Sequence, residues 1–206
     1  MNNLGVGYRS IGRLDRALPY FQEAADGMEK RRFQHEYAER MIANLTDSHE
    51  RLGEFNKAEV WRRKWLNSIK EKSGIDSPAY AGELAALGLN LLLQKKWTTA
   101  DSDIRECLAI RQKSQPDVWT TFNTQSMLGA ALLGQKKYAK AELLLVKGYE
   151  GLKAQAQVIP PAGATRILDA LDRLIALSLA TKKSDDIVKW RAERTKYGRE
   201  PAPQKR

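Results

Sequence analysis

Cysteine and histidine, the side chains best suited to metal binding and nucleophilic chemistry, are the scarcest residues of this sequence. The 206 residues include one cysteine, Cys107, and two histidines, His35 and His49. A single cysteine excludes a disulfide within the chain, so nothing indicates an oxidising compartment. Neither histidine has a cysteine or a second histidine at the spacing of a zinc site. We therefore predict no metal and no cofactor, and we interpret Cys107 and His49 as packing residues.

Long hydrophobic runs are missing as well. The longest, Leu84 to Leu93, is interrupted by Gly88 and Asn90, whereas a membrane-spanning helix needs about 20 apolar residues. The amino terminus has neither the basic start nor the apolar stretch of a secretory signal, and sequence signals for β-strands are missing too. These absences predict a soluble, cytoplasmic, helical protein without a membrane partner.

The chain has an excess of positive charge, with a formal net charge of +10. From Pro161 onward there are 11 Lys and Arg against 6 Asp and Glu, so +5 of the excess lies in this last part. A groove for single-stranded nucleic acid would interleave its cations with aromatic side chains that stack on bases, and no such pattern is visible. We therefore expect a solvated surface and no nucleic-acid partner. Binding of nucleic acid through Arg191 to Arg206 is a weaker hypothesis, which predicts an affinity that falls steeply with salt.

What the sequence does contain is a helical pattern, seen most clearly from Leu128 to Gly148. Apolar residues recur at helical spacing on both sides of a polar break at Gly134 to Lys137. Two helices joined by so short a turn lie antiparallel. The small residues Gly129 and Ala141 predict that the two backbones approach closely.

This helix pair is repeated along the chain. Four kinds of position recur at intervals of 41, 42 and 41 residues, which is unexpected by chance. They are an alanine of the second helix (Ala17, Ala58, Ala100, Ala141), a leucine of the first helix (Leu4, Leu45, Leu87, Leu128), the residue after that leucine (Gly5, Thr46, Gly88, Gly129) and a turn residue (Gly12, Gly53, Lys95, Lys136). A fifth unit aligns less well, with Leu174 and Ile187 in the leucine and alanine columns, and its polar exterior suits a terminal cap.

The repeats predict an all-α fold, a right-handed α-solenoid of antiparallel helix pairs. We expect one solenoid domain over residues 1–197 and a disordered tail over 198–206. The expected units cover about 2–30, 35–72, 77–113, 117–157 and 162–197. The first helix of the first unit lacks about one turn, so we also hypothesise that further repeats precede Met1.

Several phrases of the sequence resemble the tetratricopeptide repeat (TPR). They include Leu4-Gly5 followed by Gly12 to Pro19, and Tyr138 to Glu142 followed by Gly148 to Leu152. An ordinary repeat of that family has 34 residues, whereas a period of 41 to 42 is similar to the elongated repeats of kinesin light chains and of many bacterial proteins. The same phrases resemble the carboxy-terminal repeat regions of bacterial serine/threonine protein kinases, although no kinase motif is present here.

The resemblance implies a non-enzymatic scaffold that binds a peptide or protein segment in the concave groove of a TPR superhelix. The alternative is a regulatory or docking fragment of a bacterial protein kinase whose catalytic domain lies upstream. In the family the groove is lined by the free face of each first helix. The main candidates in this sequence are Asn3, Arg40, Asn44, Asp47, Arg51, Leu89, Asn123 and Ser126, and the same face carries Asn2, Arg9, Ala85, Leu92, Ala130, Asp172 and Ala176.

Two details bear on this groove. Asn3 and Asn44 occupy the same column, where the resemblance implies an amide that hydrogen-bonds a peptide backbone; Ala86 and Met127 break the pattern. Leu89 could equally well pack against a neighbouring unit.

Catalytic patterns are weak. Residues 129–136, GAALLGQK, approach a phosphate-binding loop, but Gln135 stands where the lysine belongs and no strand precedes it. The carboxylate pairs Asp101 with Asp103 and Asp169 with Asp172 lie on helices without an evident cleft. No set of nucleophile, base and orienting residue is visible, so we do not expect an enzyme.

Overall fold

The computed structural model describes residues 1–198, and within them the chain forms ten α-helices and one short 3₁₀ turn, with no β-strand. The part of the predicted disordered tail beyond Gly198 lies outside the described residues. The helices are α1 (Asn2–Ser10), α2 (Leu14–Lys30), α3 (Ala38–Arg51), α4 (Phe55–Ser73), α5 (Pro78–Leu93), α6 (Trp97–Ser114), α7 (Trp119–Gly134), α8 (Tyr138–Ala154), α9 (Arg166–Ala180) and α10 (Ser184–Thr195).

Within the described residues the predicted partners pack together in four pairs, α1 with α2, α3 with α4, α7 with α8 and α9 with α10. The all-α repeat fold is confirmed. The chain divides into two compact units, which we call unit 1 (Met1–Lys96, helices α1–α5) and unit 2 (from Trp97, helices α6–α10). The expectation of a single domain over residues 1–197 stays a prediction. None of the helices within residues 1–198 is both long and apolar enough to cross a bilayer.

The turn inside each helix pair has the same backbone geometry. Its central residue is left-handed, with φ between 57° and 75°, at Gly12, Gly53, Lys95, Lys136 and Lys182. The next amide donates to the carbonyl five residues back, as from Lys183 to Ser178 at 3.0 Å, which is the Schellman ending of a helix. Lys182 lies eight residues after Leu174, as Lys136 does after Leu128. The proposed register of the fifth unit is therefore correct.

The core of unit 1 is built from the repeated apolar columns of α2, α3 and α4. Ala17, Phe21 and Leu45 are fully buried, and Trp61 packs into the same cluster. The small residue expected at Gly5 is required, because an added Cβ would lie 2.6 Å from a ring carbon of Phe21.

The core of unit 2 is formed mainly by α8 and α9 packed against α7, with α10 packed against α9. A Cβ at Gly129 would lie 2.7 Å from Cγ of Leu145, so this small position is also required. At Gly148, however, a Cβ would meet backbone, at 2.7 Å from the Ser126 nitrogen and 2.8 Å from the Phe122 oxygen. The α7 and α8 backbones therefore also approach closely at Gly148, a position that the sequence analysis did not name as a contact.

Cys107 and His49 are buried, as expected of packing residues. Burial raises the pKa of the Cys107 thiol, which disfavours the reactive thiolate. His49 has a second role that its column did not predict, because its Nδ1 lies 2.7 Å from Oε2 of Glu54 in the following turn. Within residues 1–198 no group of three or more His, Cys, Asp or Glu side chains is placed to hold a metal ion.

Candidate peptide-binding face

The polar side chains predicted on the first helices of unit 1 form a hydrogen-bonded network between α1 and α3. The Asn44 amide donates from Nδ2 to Oδ1 of Asn2 at 3.0 Å, and its own Oδ1 accepts from Nη1 of Arg9 at 2.9 Å. Asn44 is 7% exposed, so this amide is committed to its neighbours. Its role in this state is to hold Arg9 in place.

Charged groups continue the network along α3. Asp47 accepts from Nε of Arg51 at 2.9 Å and lies 3.7 Å from Nη1 of Arg9. The Arg9 guanidinium also lies 5.5 Å from the centre of the Phe21 ring. Two arginines thus share one carboxylate, and the set of Arg9, Asp47 and Arg51 carries one positive charge in excess.

The remaining candidates of unit 1 differ in exposure. Asn3 is exposed on α1, so it is not equivalent to the buried Asn44 although the two share a column. Arg40 is exposed, with its guanidinium 5.0 Å from the centre of the Tyr37 ring. Leu89 is half-buried on α5. The accessible polar face of unit 1 is therefore formed by Asn3, Arg40, Asp47 and Arg51, with Arg9 half-buried behind them.

The two candidates of unit 2 are both buried. Asn123 is 8% exposed and Ser126 is fully buried, so neither side chain offers the accessible surface that the groove prediction required. Ser126 accepts from Nη1 of Arg173 at 3.0 Å. Asn123 donates to the sulfur of Met127 at 3.5 Å, whereas its Oδ1 has no hydrogen-bond partner among the described residues.

Arg173, on α9, is a polar residue that the sequence analysis missed. Burial lowers its pKa to about 10, against the opposing attraction of Asp169 and Asp172. The signal was present in the alignment, because Arg173 immediately precedes Leu174 and so occupies the column of Asn3 and Asn44. Comparing this column in the fifth unit as well would have identified Arg173 from the sequence.

Comparison with known proteins supports the repeat family. A model of the tetratricopeptide repeat matches residues 1–30. No curated protein sequence matches the chain significantly.

Solved structures match over nearly the whole chain. Nearly identical TPR-like repeats of a putative kinesin light chain from Podosopora anserina superpose with a TM-score of 0.69 and 14% identity, covering 95% of this chain and 92% of that one. BtubC (BKLC) from P. vanneervenii gives a TM-score of 0.70 and 15% identity, covering 98% and 82%. The resemblance to elongated, kinesin-light-chain-like repeats is therefore confirmed for the fold. The resemblance to kinase repeat regions stays a prediction.

Proposed function

We propose that the chain is a protein-interaction scaffold whose unit 1 binds an extended peptide segment carrying an acidic side chain across the first-helix face of α1 and α3. The main support for this proposal is the network of hydrogen bonds and ion pairs that runs from Asn2 through Asn44 and Arg9 to Asp47 and Arg51. A repeat fold provides such a face by stacking helix pairs, and no chemistry of its own is needed for this role.

The network favours an anionic group in the ligand. Arg51 and Arg40 project exposed guanidinium groups. Asp47 is shared by Arg9 and Arg51, so one positive charge of this set is left without a carboxylate. Because Arg9 is already fixed by Asn44 and by the Phe21 ring, little side-chain freedom is lost when a carboxylate binds beside it. Guanidinium groups also present paired donors that match a carboxylate.

A peptide array tests the proposal. The 206-residue chain is applied to an array of random 12-residue peptides, and we expect enrichment of peptides with at least one Asp or Glu. The double variant Arg40→Gln/Arg51→Gln should lose about tenfold or more of this binding, because one charge-assisted contact is equivalent to about 1.4 kcal/mol.

The matched control is Arg16→Gln/Arg31→Gln, which changes the net charge equally at exposed positions of unit 1 outside the network. It should bind like the wild type. Equal loss in both double variants would attribute the effect to net charge alone, and unchanged binding in both would place the ligand elsewhere.

A further inference from the structure

Unit 1 contains a cavity of about 540 Å³ that the first-helix face does not include. It lies where the N-terminal ends of α3 and α5 meet the C-terminal end of α4. Its volume falls in the range of ligand pockets, about 300 to 1,000 Å³. The residues that define its chemistry are Glu36, Glu39, Trp65, Lys72, Gly82 and Glu83.

The wall at Glu83 contains a buried negative charge that the protein does not neutralise. Arg62 donates twice to Glu50, at 2.9 and 3.2 Å, and once to Oε1 of Glu83, at 3.1 Å. Asn90 donates a further bond to Glu50 at 2.8 Å. Two carboxylates therefore share one guanidinium, and the Glu83 side chain is only 13% exposed.

The other charges around the cavity do not supply the missing cation. Lys72 lines the cavity, but its ammonium donates to the carbonyl of Phe33 and lies 5.9 Å from the centre of the Trp65 ring. Glu36 and Glu39 add further negative charge, so the cavity is acidic within a protein of net charge +10.

We propose that this cavity binds the guanidinium or ammonium group of a basic side chain from a partner peptide, with Glu83 and Glu39 as carboxylate partners and Trp65 as the aromatic wall. A cation placed there compensates the buried charge shared by Glu50 and Glu83. Trp65, whose ring already lies 5.9 Å from the Lys72 ammonium, lines the cavity with an aromatic surface of the kind that attracts cations. Arginine fits better than lysine, because its planar guanidinium both stacks on an indole and donates paired hydrogen bonds. The site goes beyond the proposed function, whose ligand group is acidic.

Binding should depend on pH. Burial, together with repulsion from Glu50 and Glu39, raises the pKa of Glu83 to about 7 against the attraction of Arg62. The ionised fraction is then about 0.9 at pH 8 and about 0.1 at pH 6, and the apparent affinity scales with that fraction. The other groups facing Glu83 across the cavity are His35 and Glu36 before α3 and Lys72 on α4.

The test uses the peptide acetyl-Gly-Gly-Arg-Gly-Gly-amide and the same peptide with citrulline, which has the shape of arginine without its charge. Binding to the 206-residue chain is followed by NMR, with the backbone amides of Ala79 and Gly82 as reporters. We expect the arginine peptide to shift these amides, the citrulline peptide to leave them unchanged, and the apparent Kd to be about tenfold tighter at pH 8 than at pH 6.

Three variants complete the test. Glu83→Gln keeps the shape and should lose both the binding and its pH dependence, Glu39→Gln should weaken binding less, and the exposed control Glu71→Gln should behave as wild type. Wild-type affinity in Glu83→Gln, or a pH dependence that survives in that variant, would overturn the assignment. Spermidine is tested separately as a free polyamine. If spermidine shifts the reporter amides and the arginine peptide does not, the occupant is not a peptide side chain, and the proposal is overturned.

Discussion

At the scale of single residues, Glu83 shows how burial and charge oppose each other in unit 1. A carboxylate removed from water gains stability only when a cation compensates it. Arg62 is close to Glu83, but it donates two of its three bonds to Glu50. Glu83 is therefore held in a place where its neutral form is favoured, and this cost should be visible as a dependence of stability on pH.

The substitution Glu83→Gln should stabilise the protein at pH 8 and have little effect at pH 4. The pKa of Glu83 rises from 4.5 to about 7 in the folded state, so the folded state binds the proton more tightly than the unfolded state. The resulting destabilisation is absent below pH 4.5, grows as the pH rises, and is complete above pH 7. The shift corresponds to at most about 3 kcal/mol.

Urea denaturation of wild type and variant at pH 4, 6 and 8 measures this difference directly. Other carboxylates titrate in both proteins, so their effects cancel in the comparison. A variant that is no more stable than wild type at pH 8 would show that Arg62 compensates both Glu50 and Glu83.

At the scale of helices and turns, the repeated left-handed residue shows where glycine matters. Gly12 and Gly53 occupy this position in unit 1, whereas lysine occupies it at Lys95, Lys136 and Lys182. Lysine carries a Cβ that makes this conformation costly, and glycine does not. The three turns that contain lysine therefore have a conformational cost that glycine at the same position would avoid.

The change Lys136→Gly should stabilise the protein by about 0.5 to 1 kcal/mol, and Gly53→Ala should destabilise it by about 1 kcal/mol. A Cβ at Gly53 meets no atom within 4 Å. The change in stability of Gly53→Ala would therefore report the cost of the backbone conformation alone. The control Lys140→Gly, within helix α8, should cost about 1 kcal/mol. Thermal unfolding of the three variants checks these signs, and a loss of stability in Lys136→Gly would mean that the lysine side chain stabilises the turn.

Most of the helices and four of the five turns could be predicted from the sequence, because a fixed period places the same residue type at the same structural position. The fifth turn was harder to place. A longer connection containing Pro160 and the 3₁₀ turn Pro161–Gly163 precedes α9, and it lengthens the interval to 46 residues. Only the left-handed geometry of Lys182 shows that the register is kept.

The candidate site was predictable in part. Helical spacing assigns Asn44, Asn123 and Ser126 to one face of the first helices, but it does not show how deeply each of these side chains is buried. Depth depends on which neighbouring side chains cover that face, and these come from helices distant in sequence. The cavity beside Glu83 was not predictable either, because it arises where three helix ends meet.

At the scale of the whole molecule, the period predicted repeats but not the division into two units. No proline, glycine or charge run marks the boundary between Lys96 and Trp97. The division lies within the third helix pair, between α5 and α6. Since each helix pair of a repeat protein contacts mainly its neighbours, stability should be distributed locally along the chain.

Hydrogen exchange on two matched variants tests this expectation. Ile42→Val removes one methylene group from the core of unit 1 and Ile167→Val removes one from the core of unit 2, and each should cost about 0.5 to 1.5 kcal/mol. We expect Ile42→Val to lower amide protection chiefly in α2, α3 and α4, and Ile167→Val chiefly in α8, α9 and α10, because local opening reflects local packing. Equal loss of protection along the whole chain in both variants would instead show that all ten helices unfold as one cooperative body, and would support the single domain predicted from the sequence.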